Sequence, residues 1–470
     1  MISRPLRLLF AAALALSATV TCARAASRSP NIVFLFADDL GHGALGCYGG
    51  KKILTPNIDR LAAEGMRFTQ CYAGSNVCAP SRSTLMTGLH TGHTPVRNNG
   101  KKRHLYVEDV TVAEVLKKAG YATGGFGKWG LGDMGTPGVA IKQGFDEWFG
   151  YYHQVHAHFY YPYWLWKNDQ QFMLPGNEGG KRGQYSHDEI QKQALDFIRR
   201  HKDGPFFCYV PYTVPHVELV VPEDSELPYR GKFPKEPIKD NRPGYIWSED
   251  GYTTYAGMVS RLDRGVGEVM ALLKQLKLDD NTIVFFSSDN GAQGGGDWQK
   301  LLTFFDGTGG LRGSKGNWYE GGIRDPLIVR WPGKIKPGTV SDHVCAFWDV
   351  LPTLAEFARA ETPKNLDGIS FAPVLLGKPQ PKHEFLYWEM PMPAGLSQAI
   401  RMGDWKAVKP RPNAPFELYN LKTDEKETTN VAEQHPEVMK KIAELATAQH
   451  SPERDYPNEE NPPGIKNYVR

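Results

Sequence analysis

The 470-residue chain lacks internal repeats and long low-complexity tracts, which sets aside repeat and fibrous architectures. It also lacks a meaningful net charge. The formal +3 comes from the first 25 residues, which hold Arg4, Arg7 and Arg24 and no acid. Without them basic and acidic residues stand at 52 each, so no nucleic-acid partner is implied. A membrane span is missing as well. Met1 to Ala25 pairs two early arginines with an apolar run reaching Val20, then Ala23-Arg24-Ala25 before Ala26. That pattern reads as a cleavable secretory signal, too short and too early to cross a bilayer. Thr19-Val20-Thr21 ahead of Cys22 is a poor lipid-attachment box, so a periplasmic or secreted protein is expected.

Cysteine is sparse. Beyond the leader only Cys47, Cys71, Cys78, Cys208 and Cys345 remain, an odd number that flags one special thiol in an exported protein. The other four are open to pairing or to staying free, and a core of this size does not require disulfides.

Apolar strands alternating with helices are plentiful. Asn31 to Phe36 has the continuous apolar character of a strand buried on both faces. Thr55-Pro56 opens a helix, Thr111 to Glu114 forms a capping box, and Tyr121 to Phe126 returns as a strand. A helix over 187–201 precedes the strand 206–210, and a helix from about Ser260 to Lys277 precedes the strand 282–287. This order predicts a large, mostly parallel sheet sandwiched by helices. After Gly377 short strands and one helix (436–449) predict a smaller antiparallel α+β domain. The expected division is 1–25 signal, 26–377 catalytic domain and 378–470 C-terminal subdomain.

Cys78 lies in Cys78-Ala79-Pro80-Ser81-Arg82, at the entrance of a helix that Gly88 should stop. A helix N-terminus and a nearby arginine favour the thiolate. Ligands in α/β sheets bind beyond the carboxyl ends of the strands. Those ends carry Asp38-Asp39, Asp289-Asn290, Lys128 and, farther on, His216. Asp and Asn also serve as turn formers and caps. Two such pairs beside Cys78 instead suggest oxygen ligands for a hard cation, Ca²⁺ before Mg²⁺, which would relieve their mutual repulsion.

Six motifs occur in one order: A-D-D-L-G-H-G at 37–43, C-A-P-S-R at 78–82, G-K-W-G-L-G at 127–132, V-P-H at 214–216, S-D-N-G at 288–291 and G-S-K-G-N-W-Y-E-G-G-I-R at 313–324. Together with E-L-Y-N-L at 417–421 and Asn430-Val431-Ala432, they make nearly the whole mature chain resemble the type I sulfatases. The resemblance implies an alkaline phosphatase-like fold and a Cys78 oxidised to Cα-formylglycine by a maturation enzyme. It also implies that Asp38, Asp39, Asp289, Asn290 and modified Cys78 bind the Ca²⁺-like ion. Arg82 would hold the formylglycine, Lys128 and Lys315 would grip sulfate, and His216 would protonate the leaving alcohol. Glycines near Lys315 suggest close approach to a ligand. Arg312 and Arg324 read as ion-pairing residues of the fold.

One position departs from the family. Many sulfatases have histidine where Gly130 stands, touching the formylglycine diol. His156 and His158 are nearby candidates for that role, and His158 is expected to enter the site and contact substrate or diol. The aromatics from Trp148 to Trp166 are expected to offer a wall for stacking a sugar, against the plainer role of core packing. The expected substrate is a sulfated carbohydrate of a galactose-based kind. The alternatives are a phosphate or phosphonate ester hydrolase of the same superfamily and an inactive sulfated-glycan binder.

Overall fold

The computed structural model describes residues 29–100, 103–240, 242 and 244–454. The expected signal, residues 1–25, lies outside them. Eleven strands form the main sheet. In chain order they are β1 (Asn31–Ala37), β2 (Met66–Tyr72), β3 (Ala122–Lys128), β4 (Glu147–Tyr151), β5 (Trp164–Lys167), β6 (Gln170–Met173), β7 (Phe206–Pro211), β8 (Thr282–Ser288), β9 (Arg324–Arg330), β10 (Thr339–Ser341) and β11 (Cys345–Ala346). Their spatial order is β10-β2-β9-β8-β1-β7-β3-β4-β5-β6, with β11 also beside β2. The centre, from β8 to β4, is parallel, whereas β9 and the β5–β6 hairpin run antiparallel.

β1 shows why both faces are covered. Val33, Leu35 and Ala37 enter one apolar cluster, while Ile32, Phe34 and Phe36 enter the other. Helices Pro56–Ala63, Ser186–Arg200 and Gly251–Gln275 pack on the first face. Helices Cys78–Thr87, Val112–Lys118 and Val350–Ala358 pack on the second.

Several boundaries differ from expectation. The long helix begins at Gly251, nine residues before the expected start near Ser260. Its glycines are poor helix formers, but tertiary packing overrides propensity: a Cβ at Gly257 would sit 3.0 Å from the Ser225 carbonyl oxygen. β3 runs on to Lys128 because that residue still pairs with Tyr151 of β4. The Thr111 capping box forms as read, but Thr55 makes no side-chain cap and instead bonds Gly46 and Asp59.

The second sheet has four antiparallel strands, β12 (Leu386–Met392), β13 (Gly395–Met402), β14 (Trp405–Lys409) and β15 (Glu417–Asn420). One face, with Tyr387, Ile400 and Leu418, is covered by helix Pro436–Ala448. The other presents Trp388, Ala399 and Val408 to Tyr72, Trp318 and Trp348, which docks the small sheet on the large one. Cys47, Cys71, Cys78, Cys208 and Cys345 are all free.

Candidate active site

Register builds the site. Ala37 of β1 pairs with Ser288 of β8, so the residues that follow, Asp38-Asp39 and Asp289-Asn290, emerge side by side. The Asp289 amide donates to the Ala37 carbonyl (3.1 Å) and the Asp39 amide to Asp289 Oδ1 (3.1 Å). Asp39 adopts φ 64°, a left-handed conformation that aspartate tolerates better than most residues.

The helix Cys78–Thr87 begins on Cys78 itself. Gly88 ends it at φ 72°, as read. Two residues of the pentad hold the neighbouring strand end. Ser81 donates its hydroxyl to the Asp289 carbonyl (2.5 Å), and Arg82 donates through Nε and Nη2 to Asp289 Oδ2 (3.0 and 2.8 Å). Arg82 also reaches the Lys128 carbonyl (2.8 Å), so it ties β3, β8 and the cysteine helix together. Cys78 Sγ stands 3.6 Å from Asp38 Oδ1, 4.0 Å from Asp39 Oδ1 and 3.4 Å from Lys315 Nζ.

The remaining cations close on the acids. Lys128 Nζ lies 2.7 Å from Asp38 Oδ2, and Lys315 Nζ lies 2.7 Å from Asp39 Oδ2. His216 Nε2 is 3.4 Å from Asp39 Oδ2, and its Nδ1 is 3.1 Å from the Val217 carbonyl. The structure thus brings Asp38, Asp39, Cys78, Arg82, Lys128, His216, Asp289, Asn290 and Lys315 into one buried cluster. Lys315 keeps the most side-chain exposure among the paired groups, 16%, and marks the open side. Of the glycines near it, Gly313 (φ 84°) leaves a Cβ only 3.0 Å from that of Tyr319, while Gly316 (φ 86°) has open space around a Cβ position.

Charge here is balanced without an ion, three carboxylates against Arg82, Lys128 and Lys315. The repulsion argument for a metal is therefore corrected by the cationic side chains. What does fit an oxygen-liganded cation is the donor set itself. Asn290 Oδ1 is fully buried with no hydrogen-bond partner, while its Nδ2 donates to Asp39 Oδ1 (2.7 Å). Asp38, Asp39, Cys78 and His216 each offer a ligand atom within 4.8 Å of the others. A half-turn of the Asn290 amide would exchange the nitrogen for the oxygen at the same place.

Burial tends to push the Asp38 carboxyl up, but Lys128, His216, Arg82 and Lys315 together hold it well below the ordinary range. Burial raises Asp39 against the pull of Lys315, and burial with neighbouring Asp38 raises Asp289 to about 6. Packed like charges do not all ionise easily. Burial likewise pushes the Cys78 thiol up to about 12, against Lys128 and Lys315. Against the expected thiolate, burial together with Asp289 and Asp38 favours the protonated thiol.

His158 stacks on His216 with ring centres 4.5 Å apart, and its Nδ1 lies 2.5 Å from the Tyr245 hydroxyl. His156 points elsewhere, against Tyr151 and Trp164. Gly130 sits at φ 78°, a backbone conformation that disfavours any side chain, and a Cβ there would fall 2.4 Å from Gln154 Nε2, which would have to swing away. Most of the proposed sugar wall is core. Trp148, Phe149, Tyr151, Tyr152, Phe159, Tyr160 and Tyr161 are buried, because β4 and the following turn face the interior. Arg312 and Arg324 bind Glu427, Tyr419, Glu320 and Glu425, as expected of fold residues. Sequence reading missed Tyr245, which lies in an unpatterned loop 87 residues from His158 and carries no motif.

Comparison with known proteins identifies the family. The Sulfatase family model matches residues 30–360, and the model for the N-sulphoglucosamine sulphohydrolase C-terminal region matches 314–451. The chain is 30% identical to an N-acetylgalactosamine-6-O-sulfatase of Bacteroides thetaiotaomicron, over 89% of this chain and 93% of that protein. It is 34% identical to arylsulfatase A of Homo sapiens, over 82% and 75% respectively. It also resembles the crystal structure of Ps i-CgsB in complex with k-i-k-neocarrahexaose, with a TM-score of 0.76, 29% identity and coverage of 90% and 93%. With eight acidic, basic and thiol groups and the Asn290 amide gathered at the carboxyl edge of a sulfatase-type sheet, the chain belongs to the sulfatase family and is an arylsulfatase-like sulfuric ester hydrolase of the alkaline phosphatase superfamily.

Proposed function

We propose that the chain is an exported sulfatase acting on sulfated, galactose-type saccharides, through Cys78 converted to Cα-formylglycine and a Ca²⁺-type ion. The observation that carries the reading is the position of Cys78, first in its helix and within 4 Å of Asp38, Asp39 and Lys315. A maturation enzyme would supply the modification. The names of the relatives, an N-acetylgalactosamine-6-O-sulfatase and a protein crystallised with a neocarrahexaose, support the sugar class. The apolar leader with Arg4 and Arg7 supports export, and among the described residues no helix is long and apolar enough to cross a membrane. The same reading assigns 26–377 to catalysis and 378–470 to the smaller domain.

Asp38, Asp39, Asp289 and Asn290, with residue 78, would hold the ion. The ion and the hydrated aldehyde together supply an activated hydroxyl for attack on sulfur, and a second hydroxyl that unmodified cysteine or serine lacks. The protein's own groups then do the rest. Lys128 and Lys315, each paired with a carboxylate, are placed to exchange that partner for sulfate oxygens and stabilise charge as it develops. Arg82 keeps Asp289 and the cysteine helix in place. His216, with Nδ1 anchored on a carbonyl, directs Nε2 to the centre, where it would protonate the leaving alcohol. His158 would contact the sugar or the diol.

The test is release of free sulfate from defined sulfated saccharides by protein shown by mass spectrometry to carry formylglycine. Phosphate and phosphonate monoesters run in parallel. Faster phosphate or phosphonate turnover would favour the related hydrolase, and no turnover with modified protein would favour a glycan binder. His158→Ala with unchanged turnover and KM would remove that residue from the site.

A further inference from the structure

His158 has a partner on the side away from His216. Its Nδ1 meets the Tyr245 hydroxyl at 2.5 Å, and the Tyr245 ring packs on Phe159 with centres 5.4 Å apart. One buried carboxylate residue holds both segments. The Glu218 amide donates to the His158 carbonyl (3.0 Å), while Glu218 Oε1 accepts from the Ile246 amide (2.8 Å) and Oε2 from the Tyr160 amide (3.3 Å). The Leu219 amide adds a bond to the Ile246 carbonyl (3.2 Å). The turn carrying His158 and the loop carrying Tyr245 are therefore registered on the strand-end segment that carries His216.

The chemistry of this pair has a direction. A phenol is a good proton donor and a neutral imidazole nitrogen a good acceptor, so the stronger arrangement has the Tyr245 O–H donating to Nδ1. With Nδ1 accepting from the Tyr245 hydroxyl, the single proton of a neutral His158 ring resides on Nε2.

We propose that Tyr245 is a positioning residue of the sulfatase centre. Its hydroxyl holds His158 in the Nε2–H tautomer and in its stack on His216, so that His158 presents a hydrogen-bond donor to an oxygen of the bound sulfated sugar. The proposal rests on the sulfated-saccharide reading above. A donor fixed in this way would favour substrates with an oxygen at that position and add selectivity rather than chemistry.

Two measurements on the full, formylglycine-bearing protein test it. In the first, Tyr245→Phe, which removes only the hydroxyl, is compared with wild type on the best sulfated saccharide, alone and in a His158→Ala background. The expected result is a KM raised about three- to tenfold, with a smaller change in kcat, and no further change once His158 is gone. An unaltered KM, or an equal loss in both backgrounds, overturns the proposal. In the second, ¹⁵N-histidine NMR reads the ring nitrogens of His158 without substrate, assigned by loss of the signal in His158→Ala. The expected spectrum is that of the Nε2–H tautomer in wild type and a mixture in Tyr245→Phe. An Nδ1–H tautomer in wild type overturns it. If no saccharide releases sulfate, the substrate reading fails, while the NMR result still decides the Tyr245–His158 pairing.

Discussion

Two of the buried charge clusters among the described residues are built from similar parts. At the strand ends, Asp38, Asp39 and Asp289 face Arg82, Lys128 and Lys315. Where the two sheets meet, Glu320 and Glu427 face Lys406, with Arg324 pairing with Glu320 and Arg401 bonding the Tyr72 hydroxyl beside it. The second cluster is a closed lock. Lys406 and both glutamates are fully buried, and Lys406 bridges them at 2.7 and 3.0 Å. The first joins the end of β3, the cysteine helix and the loops after β1 and β8, keeps a partly open lysine and leaves Asn290 Oδ1 unpartnered. The same pairing chemistry thus holds two sheets together in one place and holds reactive groups ready in the other. What separates the outcomes is access: Lys406 is sealed between its glutamates, whereas Lys315 keeps an open side.

Breaking the open cluster should cost activity and spare the fold. Cys78→Ala is expected to lower turnover by about 10⁴-fold or more, with an unchanged unfolding midpoint, measured by sulfate release and thermal melting. Production without the maturation enzyme should have the same effect. A Cys78→Ala protein retaining a tenth of wild-type turnover would end the proposed role. His216→Ala is expected to cost about 10²- to 10⁴-fold in kcat, less on aryl sulfates whose leaving group needs no proton.

Breaking the closed cluster should do the reverse. Lys406→Met leaves two glutamates in the interior without their shared cation, and removing one partner of a buried pair costs about 3–5 kcal/mol. Denaturant titration should show that loss, while turnover per folded molecule at low temperature stays near wild type. Equal stability of the variant would mean that the sheets are held by the Trp318, Trp348 and Trp388 packing alone.

The smallest expected effect is a pH dependence. Burial, against Lys406 but reinforced by Glu320, pushes Glu427 up to about 7 from its ordinary 4.5. Between those values the folded state binds more protons than the unfolded one, so this group's contribution to stability falls as pH rises through that window and is level above about 7. Glu427→Gln should flatten the stability curve between about pH 5 and 7. An unchanged slope would assign the dependence to another group.

The alternation of strands and helices was readable because two-face burial writes continuous apolar runs such as Asn31 to Phe36. The smaller sheet was readable from its short strand-like pieces. Helix starts were less so, since Gly251 and Gly257 sit in a helix that packing imposes. The site residues carried by ordered motifs came together at one edge because strand register delivers them there. Tyr245 was invisible, for its loop has no periodicity and its partner is far away in sequence. The aromatic segment after Trp148 was misread as a wall, because composition cannot tell an inward ring from an outward one.

Local pattern alone put Asp38-Asp39 and Asp289-Asn290 just beyond strands, Lys128 near the end of another and the Cys78 pentad at a helix entrance. Only the tertiary structure decided what each side chain does with its atoms. It spent Arg82 on Asp289 and the Lys128 carbonyl, buried Cys78 deeply enough to keep its thiol protonated, and left Asn290 Oδ1 without a partner. The reason is physical. Residue types are local, whereas burial, pairing and solvation are set by neighbours that the chain brings in from far away.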